Sequence, residues 1–173
     1  MKSNRRRIVI ALGGNAIKLP RQRGTHEEQR ASIRSASLCI LEFIKNGFDV
    51  VITHGNGPQV GSLLVQQEAV ASQLPPQPMD ICNAMTQGQL GYMLQQALMN
   101  ELKSLNLNFN VVTMITQVLV DRKDPAFLNP VKPVGPFYDA ETKEKLEAER
   151  GYLISQVLPD GEKPFRRLVP SPD

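Results

Sequence analysis

The sequence predicts an α/β domain built on a mainly parallel sheet. Three observations point there: short apolar runs at 7–12 (RIVIAL) and 49–53 (DVVIT), a helical pattern between them, and a glycine-rich turn directly after each run. Short, continuously apolar strands joined by a helical crossover belong to parallel sheets covered on both faces.

Taken in order, RIVIAL closes on Gly13-Gly14-Asn15, a buried strand followed by a sharp turn. A polar stretch, KLPRQRG, comes next. Thr25 then opens a helix as a capping box: its hydroxyl is placed for the Glu28 N–H, and the Glu28 side chain reaches back. Ile33, Ser37, Ile40, Leu41 and Ile44 mark the inner face, and Gly47 suits the position just past the end. The second apolar strand runs into HGNG, and Pro58 fits the first turn of another helix, where a missing N–H costs nothing. A third helix is expected from about Asp80 to Leu105, and VVTMITQVLV at 111–120 reads as a third strand.

From Asp121 the texture changes. DRKDPAFLNPVKPVGPFYD carries four prolines and a glycine, which predicts hairpins and irregular turns. DAETKEKLEAER at 139–150 is a charged helix with Glu141 and Lys145 at i,i+4 spacing. After a loop containing Asp160-Gly161, Phe165 to Val169 makes a brief strand. The expected organisation is an αβα core over 1–120 and 165–173, with 121–164 as a small protruding lobe. A parallel sheet of three or four strands with an open edge reads as part of a larger fold.

With 173 residues, 41% of them hydrophobic, the chain can bury one real core. The net charge of +3 is small, and part of it is the run Arg5-Arg6-Arg7. With aromatics at 5% and no tryptophan, nucleic-acid binding is not expected. Cys39 and Cys82, far apart in helical segments, read as free buried thiols in a reducing compartment. No metal-ligand spacing occurs, and no stretch approaches membrane-spanning length. The cytoplasm is the expected location.

The chemistry is expected at the two glycine turns, ALGGNA at 11–16 and THGNGPQVG at 53–61. In a parallel sheet both leave on the carboxyl edge, where ligands of α/β proteins bind. Glycine lets successive N–H groups point inward, and the helix after Pro58 adds its positive end, so the site suits an anion. Neither turn matches the P-loop or the dinucleotide fingerprint. Asn15 and Asn56 add a carboxamide to each turn, a combination suited to a planar, multiply charged acyl phosphate. His54 is either a general acid–base group or a support for its turn, and His26 is expected to be exposed. Lys132 stands between Pro130 and Pro133, on a stiff loop from which a cation could neutralise a transferring phosphoryl group or simply face water. Gly88 and Gly91 give the third helix a small-residue face, for a dimer contact or for internal packing.

IALGGNA at 10–16, VVITHGNGPQVGSLL at 50–64, QPMDICNAMTQGQLGYMLQQAL at 77–98, DPAFLNPVKPVGPFYD at 124–139 and RRLVPSPD at 166–173 occur in this order. Through them the chain resembles the carbamate kinases, of the amino-acid-kinase fold. The resemblance implies a three-layer αβα sandwich, mainly parallel, usually a homodimer. It implies reversible phosphoryl transfer between ATP and carbamate, giving ADP and carbamoyl phosphate, with Mg2+ accompanying the nucleotide and no prosthetic group. The reaction commonly runs toward ATP at the end of arginine degradation. Carried over by motif, Gly13, Gly14 and Asn15 resemble one wall of the carbamoyl-phosphate pocket, and Gly55, Asn56 and Gly57 the other. Lys132 is similar to the lysine that the family's small lobe extends over the transferred group. The resemblance covers this whole chain but only about the first half of the family's length; the remainder would carry most of the ADP pocket. A non-catalytic acyl-phosphate-binding or dimerisation module is the alternative reading.

Overall fold

The computed structural model describes residues 5–19, 22–159 and 161–172; the side chain of Asn15 lies outside that description, as do Pro20 and Arg21 of the polar stretch and Asp160 of the late loop. The chain forms two compact units, one of Met1–Pro58 and Asn83–Ile115, the other of Gln59–Cys82 and Thr116–Asp173.

The first unit holds β1 (Arg7–Leu12), α1 (Gly14–Ile17), α2 (His26–Lys45) and β2 (Asp49–His54). It also holds the first residues of α3 (Gly57–Ala69) and most of α4 (Met79–Ser104). β1 and β2 pair in parallel, from Arg7 opposite Asp49 to Leu12 opposite His54. The capping box at Thr25 forms as expected, with the Glu28 N–H donating to the Thr25 hydroxyl and the Glu28 carboxylate accepting from the Thr25 and Gly24 N–H groups. Such a cap stabilises a helix by roughly 1 kcal/mol. Ile33, Ser37, Ile40 and Leu41 are buried in α2, and the Ser37 hydroxyl donates to the Ile33 carbonyl at 2.8 Å. Leu90, Met93, Leu94, Leu98 and Leu102 supply the matching face of α4, and Ile10, Leu12, Val50 and Ile52 close the core from the sheet. The Arg5 guanidinium lies over the Phe109 ring and that of Arg6 over Phe48, so the N-terminal arginines are not merely solvated.

Two expectations are corrected here, the burial of Cys39 and a strand at 111–120, and the sheet is covered as an incomplete sandwich would be. Cys39 is exposed, because the helical period that buries Ile33, Ser37 and Ile40 turns it outward; only Cys82 is buried. The described elements cover one face of the sheet, and on the other Val9 and Val51 are 63% and 44% exposed. Residues 111–120 form no strand, although 107–114 alternate in burial as a strand would. Leu107, Phe109 and Val111 pack on the core, but no backbone ladder engages the segment among the described residues.

Instead, this segment uses the two glycines of α4. The Thr113 hydroxyl lies 2.9 Å from the Gly91 carbonyl oxygen, and a Cβ at Gly91 would collide with the Thr113 side chain. A Cβ at Gly88 would make ordinary contact, 3.6 Å from Ile115.

In the second unit a three-stranded antiparallel sheet has the order β3-β5-β4, from β3 (Lys132–Tyr138), β4 (Ile154–Gln156) and β5 (Phe165–Val169). α5 (Ala140–Arg150) joins β3 to β4. Asp139 caps α5 by accepting from the Thr142 N–H at 2.8 Å, and Gly151 ends it at φ +62°. The ion pair on α5 is Lys143–Glu147, at 2.8 Å, rather than Glu141–Lys145. β5, which the sequence assigned to the αβα core, is the central strand of this sheet. Tyr138, Leu146 and Ile154 form its small core. The Tyr138 hydroxyl donates to the Glu68 carboxylate, 2.8 and 3.1 Å from its two oxygens.

Two tests follow from this packing. Gly91→Ala should destabilise the protein by roughly 1–3 kcal/mol, as overpacking does, in urea or thermal unfolding. Gly88→Ala should be neutral or stabilise by up to about 1 kcal/mol, since alanine favours the helix and meets no clash. Burial, and then the Glu68 carboxylate, raise the Tyr138 pKa well above its ordinary value of 10. Above about pH 10 the unfolded chain sheds this proton while the folded protein keeps it, so stability should fall as pH rises. Urea midpoints between pH 9 and 11 should show that decline, and Tyr138→Phe should flatten it.

Candidate anion site at the carboxyl rim of the sheet

Parallel pairing fixes where the two glycine turns emerge. Leu12 and His54 are the last residues of β1 and β2 and lie opposite one another, so both turns leave from the same end. The Gly55 N–H donates to the Leu12 carbonyl at 3.2 Å, extending the ladder into the second turn. On the other side, a Cβ at Gly14 would lie 3.8 Å from the Pro58 ring. Gly13-Gly14-Asn15 and Gly55-Asn56-Gly57 are therefore neighbours on one rim.

The first turn is tighter than expected. Gly14 to Ile17 make one turn of helix, in which the Ala16 N–H donates to the Gly13 carbonyl and that of Lys18 to Gly14, both at 2.9 Å. The N–H groups of Gly14, Asn56 and Gly57 donate to no group of the described residues. Three main-chain donors thus stand at adjoining turns, and unpaired N–H groups brought together in this way can receive an anion.

Glycine at these turns answers no need of the fold. Among the described residues the glycines with positive φ are Gly24, Gly47, Gly135, Gly151 and Gly161, none of them at the rim. Apart from its chain neighbours and, for Gly57, its own helix backbone, a Cβ at Gly13, Gly55 or Gly57 would meet no atom of the described residues within 4 Å. Neither backbone strain nor neighbouring side chains exclude alanine there, so the bare positions keep space open.

Asn56 has a second task that sequence reading missed. Its amide nitrogen donates to the Asn83 side-chain oxygen at 3.1 Å and to the Thr86 hydroxyl at 2.9 Å, bracing the turn against α4. Thr86 is buried, and its hydroxyl also lies 3.0 Å from the Asn83 carbonyl. The signal was a polar Asn and Thr three apart on the inward side of a helix start. His54 places its ring nitrogen Nδ1 3.4 Å from the Gly55 carbonyl, the geometry of a turn support. His26 is exposed, as expected.

Lys132 belongs to the second unit. It does not sit on a loop: it is the exposed first residue of β3, paired with Val169, and Pro133 follows it opposite Leu168. β3 is an edge strand, where a proline loses no ladder bond. Its stiffness therefore comes from pairing with β5 as well as from the flanking prolines.

Because Asn56 nitrogen is the partner of a buried hydroxyl, Asn56→Ala should cost about 1–3 kcal/mol in urea unfolding. Asn56→Asp should also destabilise, since a carboxylate cannot donate to Thr86 and Asn83.

Residues 6–154 match the model of the Amino acid kinase family. The carbamate kinase of Pyrococcus furiosus is 52% identical over 170 residues, covering 97% of this chain and 53% of the relative. Carbamate kinase 2 of Enterococcus faecalis is 47% identical over 165 residues, 95% of this chain and 51% of the relative. Among solved structures, carbamate kinase from Giardia lamblia bound to AMP-PNP superposes with a TM-score of 0.88 at 42% identity, over 98% of this chain and 53% of that one. The chain spans about half the length of the curated relatives it matches. The strand–glycine-turn architecture, the family model and these relatives agree, and the chain belongs to the amino acid kinase family.

Proposed function

We propose that this chain carries the acyl-phosphate half of a carbamate kinase. In that reaction a carboxylate oxygen of carbamate attacks the γ-phosphorus of ATP, and ADP leaves with the bond's electron pair. In reverse, the β-phosphate of ADP takes the phosphoryl group from carbamoyl phosphate and makes ATP, the direction that would serve arginine degradation in the cytoplasm. The observation that carries the reading is the pair of adjoining turns with free N–H groups and glycines that the fold itself does not require.

Little covalent chemistry is asked of the protein. Phosphoryl transfer needs donor and acceptor aligned and the spreading negative charge stabilised. The Gly14, Asn56 and Gly57 N–H groups would hold acyl or phosphoryl oxygens, with the Asn15 and Asn56 carboxamides orienting the planar acyl group. Lys132, on a lobe spanning 121–164 and closed by β5, would supply the compensating charge. Mg2+ would arrive with the nucleotide. Among the described residues no group of three or more His, Cys, Asp or Glu could hold a metal ion.

The full enzyme is proposed to be a homodimer without a nucleic-acid partner. Exposed Met85, Tyr92 and Met99 recur at seven-residue spacing on α4, an apolar stripe suited to a twofold contact. No helix among the described residues is long and apolar enough to cross a membrane.

Two measurements separate this proposal from a purely structural account of the glycines. Gly55→Ala should leave the unfolding midpoint nearly unchanged while weakening carbamoyl-phosphate binding by 10-fold or more in calorimetric titration; an unaltered affinity would remove the turn from the site. In the catalytically complete enzyme, Lys132→Ala should lower kcat for ATP formation by about 10²-fold, the scale of losing one electrostatic stabiliser. Near-normal turnover would deny Lys132 its role.

A further inference from the structure

We infer that the second unit carries a binding pocket for a small organic anion, a phosphate or carboxylate group on an apolar body, held by Arg150 and Arg167. Residues of that unit alone form the pocket, and the inference does not rest on the acyl-phosphate reading of the rim.

The cavity measures about 320 Å³ and is lined from the end of α3, the loop before α4, β3, β5 and the end of α5. That volume is at the low end for small-molecule sites. Leu64, Pro76, Met79 and Val134 give it apolar walls. The loop wall is tied down, because the Gln77 N–H donates to the Gln67 side-chain oxygen at 2.8 Å. Arg167 belongs to the central strand of its sheet, opposite Val134 on one side and Ile154 on the other, so the base of its side chain is fixed. The neighbouring Arg166 is engaged elsewhere: its guanidinium donates to the Gly135 carbonyl at 2.9 Å and lies over the Phe137 ring. Arg167 is therefore the cation that β5 contributes to the cavity.

Two cations gather on one ring. The Arg167 guanidinium lies 3.8 Å from the centre of the Tyr152 ring, and that of Arg150 lies 5.9 Å from it. Stacking of this kind orients the planar fork before a ligand arrives, which lowers the ordering cost of binding. The ion pairs among the described residues are Arg5–Asp49, Arg34–Glu101, Lys45–Glu42 and Lys143–Glu147, so neither guanidinium of the cavity is paired with a carboxylate. Of the lining residues only Glu68 is acidic, and its two oxygens already accept from the Tyr138 hydroxyl, at 2.8 and 3.1 Å. Two positive charges thus face one negative charge, an excess that attracts an anion, and guanidinium forks match the paired oxygens of a carboxylate or phosphate. The apolar walls favour an anion with a hydrocarbon part over a bare inorganic ion.

The test titrates the whole 173-residue chain, isotope-labelled at its methionine methyl groups, with phenyl phosphate and with benzoate. The resonance that Met79→Leu removes should shift, with a dissociation constant of about 1 mM or lower, the affinity expected of a ligand of this size. A response to either anion supports the inference, and the tighter of the two tells a phosphate-ester site from a carboxylate site. Inorganic phosphate, lacking an apolar body, should bind at least about 10-fold more weakly, and benzylamine should leave the resonance in place. Arg150→Met changes an exposed side chain, so it should keep the unfolding midpoint while weakening phenyl phosphate by about 10-fold. Glu68→Gln keeps an acceptor for Tyr138 and removes the opposing charge, so it should tighten binding by about 3-fold. No shift with either anion, an equal response to benzylamine, or indifference to both substitutions would each overturn the inference. Gly55→Ala should leave the Met79 response unaltered; a response lost with that glycine would put the probe at the rim and overturn it too. Loss of carbamoyl-phosphate binding with the Met79 response intact would instead count against the proposed function alone.

Discussion

The parallel register of β1 on β2 is the constraint on which the rest depends. With Leu12 opposite His54, two turns more than forty residues apart in sequence must emerge together. Antiparallel pairing, or a register displaced by several residues, would separate them. The register is fixed by what faces inward: Ile10, Leu12, Val50 and Ile52 meet α2 and α4, and a slip of one residue would send them to the opposite face. The core thus sets the geometry of the rim.

A second link ties the rim to the body of the protein. The Asn56 brace to Asn83 and Thr86 holds the HGNG turn from behind, while the Gly55 N–H holds it from the strand. The turn is therefore fixed by polar contacts that leave its Gly57 and Asn56 N–H groups free. Preorganised donors of this kind need little rearrangement when charge arrives, which is the condition under which hydrogen bonds stabilise a transferring phosphoryl group most. The glycines complete the arrangement by absence: they exclude nothing and strain nothing, and their value lies in the space left over.

Much of this was legible in the sequence, for identifiable reasons. The capping box at Thr25, the inner face of α2 and the stop at Gly47 were all readable because helix signals are local. The two glycine turns were legible because each follows an apolar run, and their shared rim followed from parallel topology. Residues 111–120 were misread because apolar content reports willingness to pair, whereas a strand also needs a partner at its edge. Cys39 was misread because its residue type outweighed its phase on the helix. The Asn56 brace was invisible, since it joins residues about thirty apart through a contact that no local pattern announces. Lys132 was singled out by its proline setting, but its strand pairing with Val169 depends on a segment nearly forty residues downstream.

The same misreading shows why site and scaffold differ in their needs here. An anion site made from two turns requires only the strands that carry those turns, and β1 and β2 with α2 and α4 suffice to place every N–H donor at the rim. A parallel sheet, however, gains its stability from being covered on both sides, because its strands carry apolar side chains on both faces. Val9 and Val51 are the outward members of strands whose inward members are satisfied, and Val112 and Met114 stand in the same relation to Val111 and Thr113. The geometry for holding a small anion is thus complete at a point where the hydrophobic surface is not. Holding a small anion and closing a sheet are separable physical problems, and the elements that form the rim leave the second open.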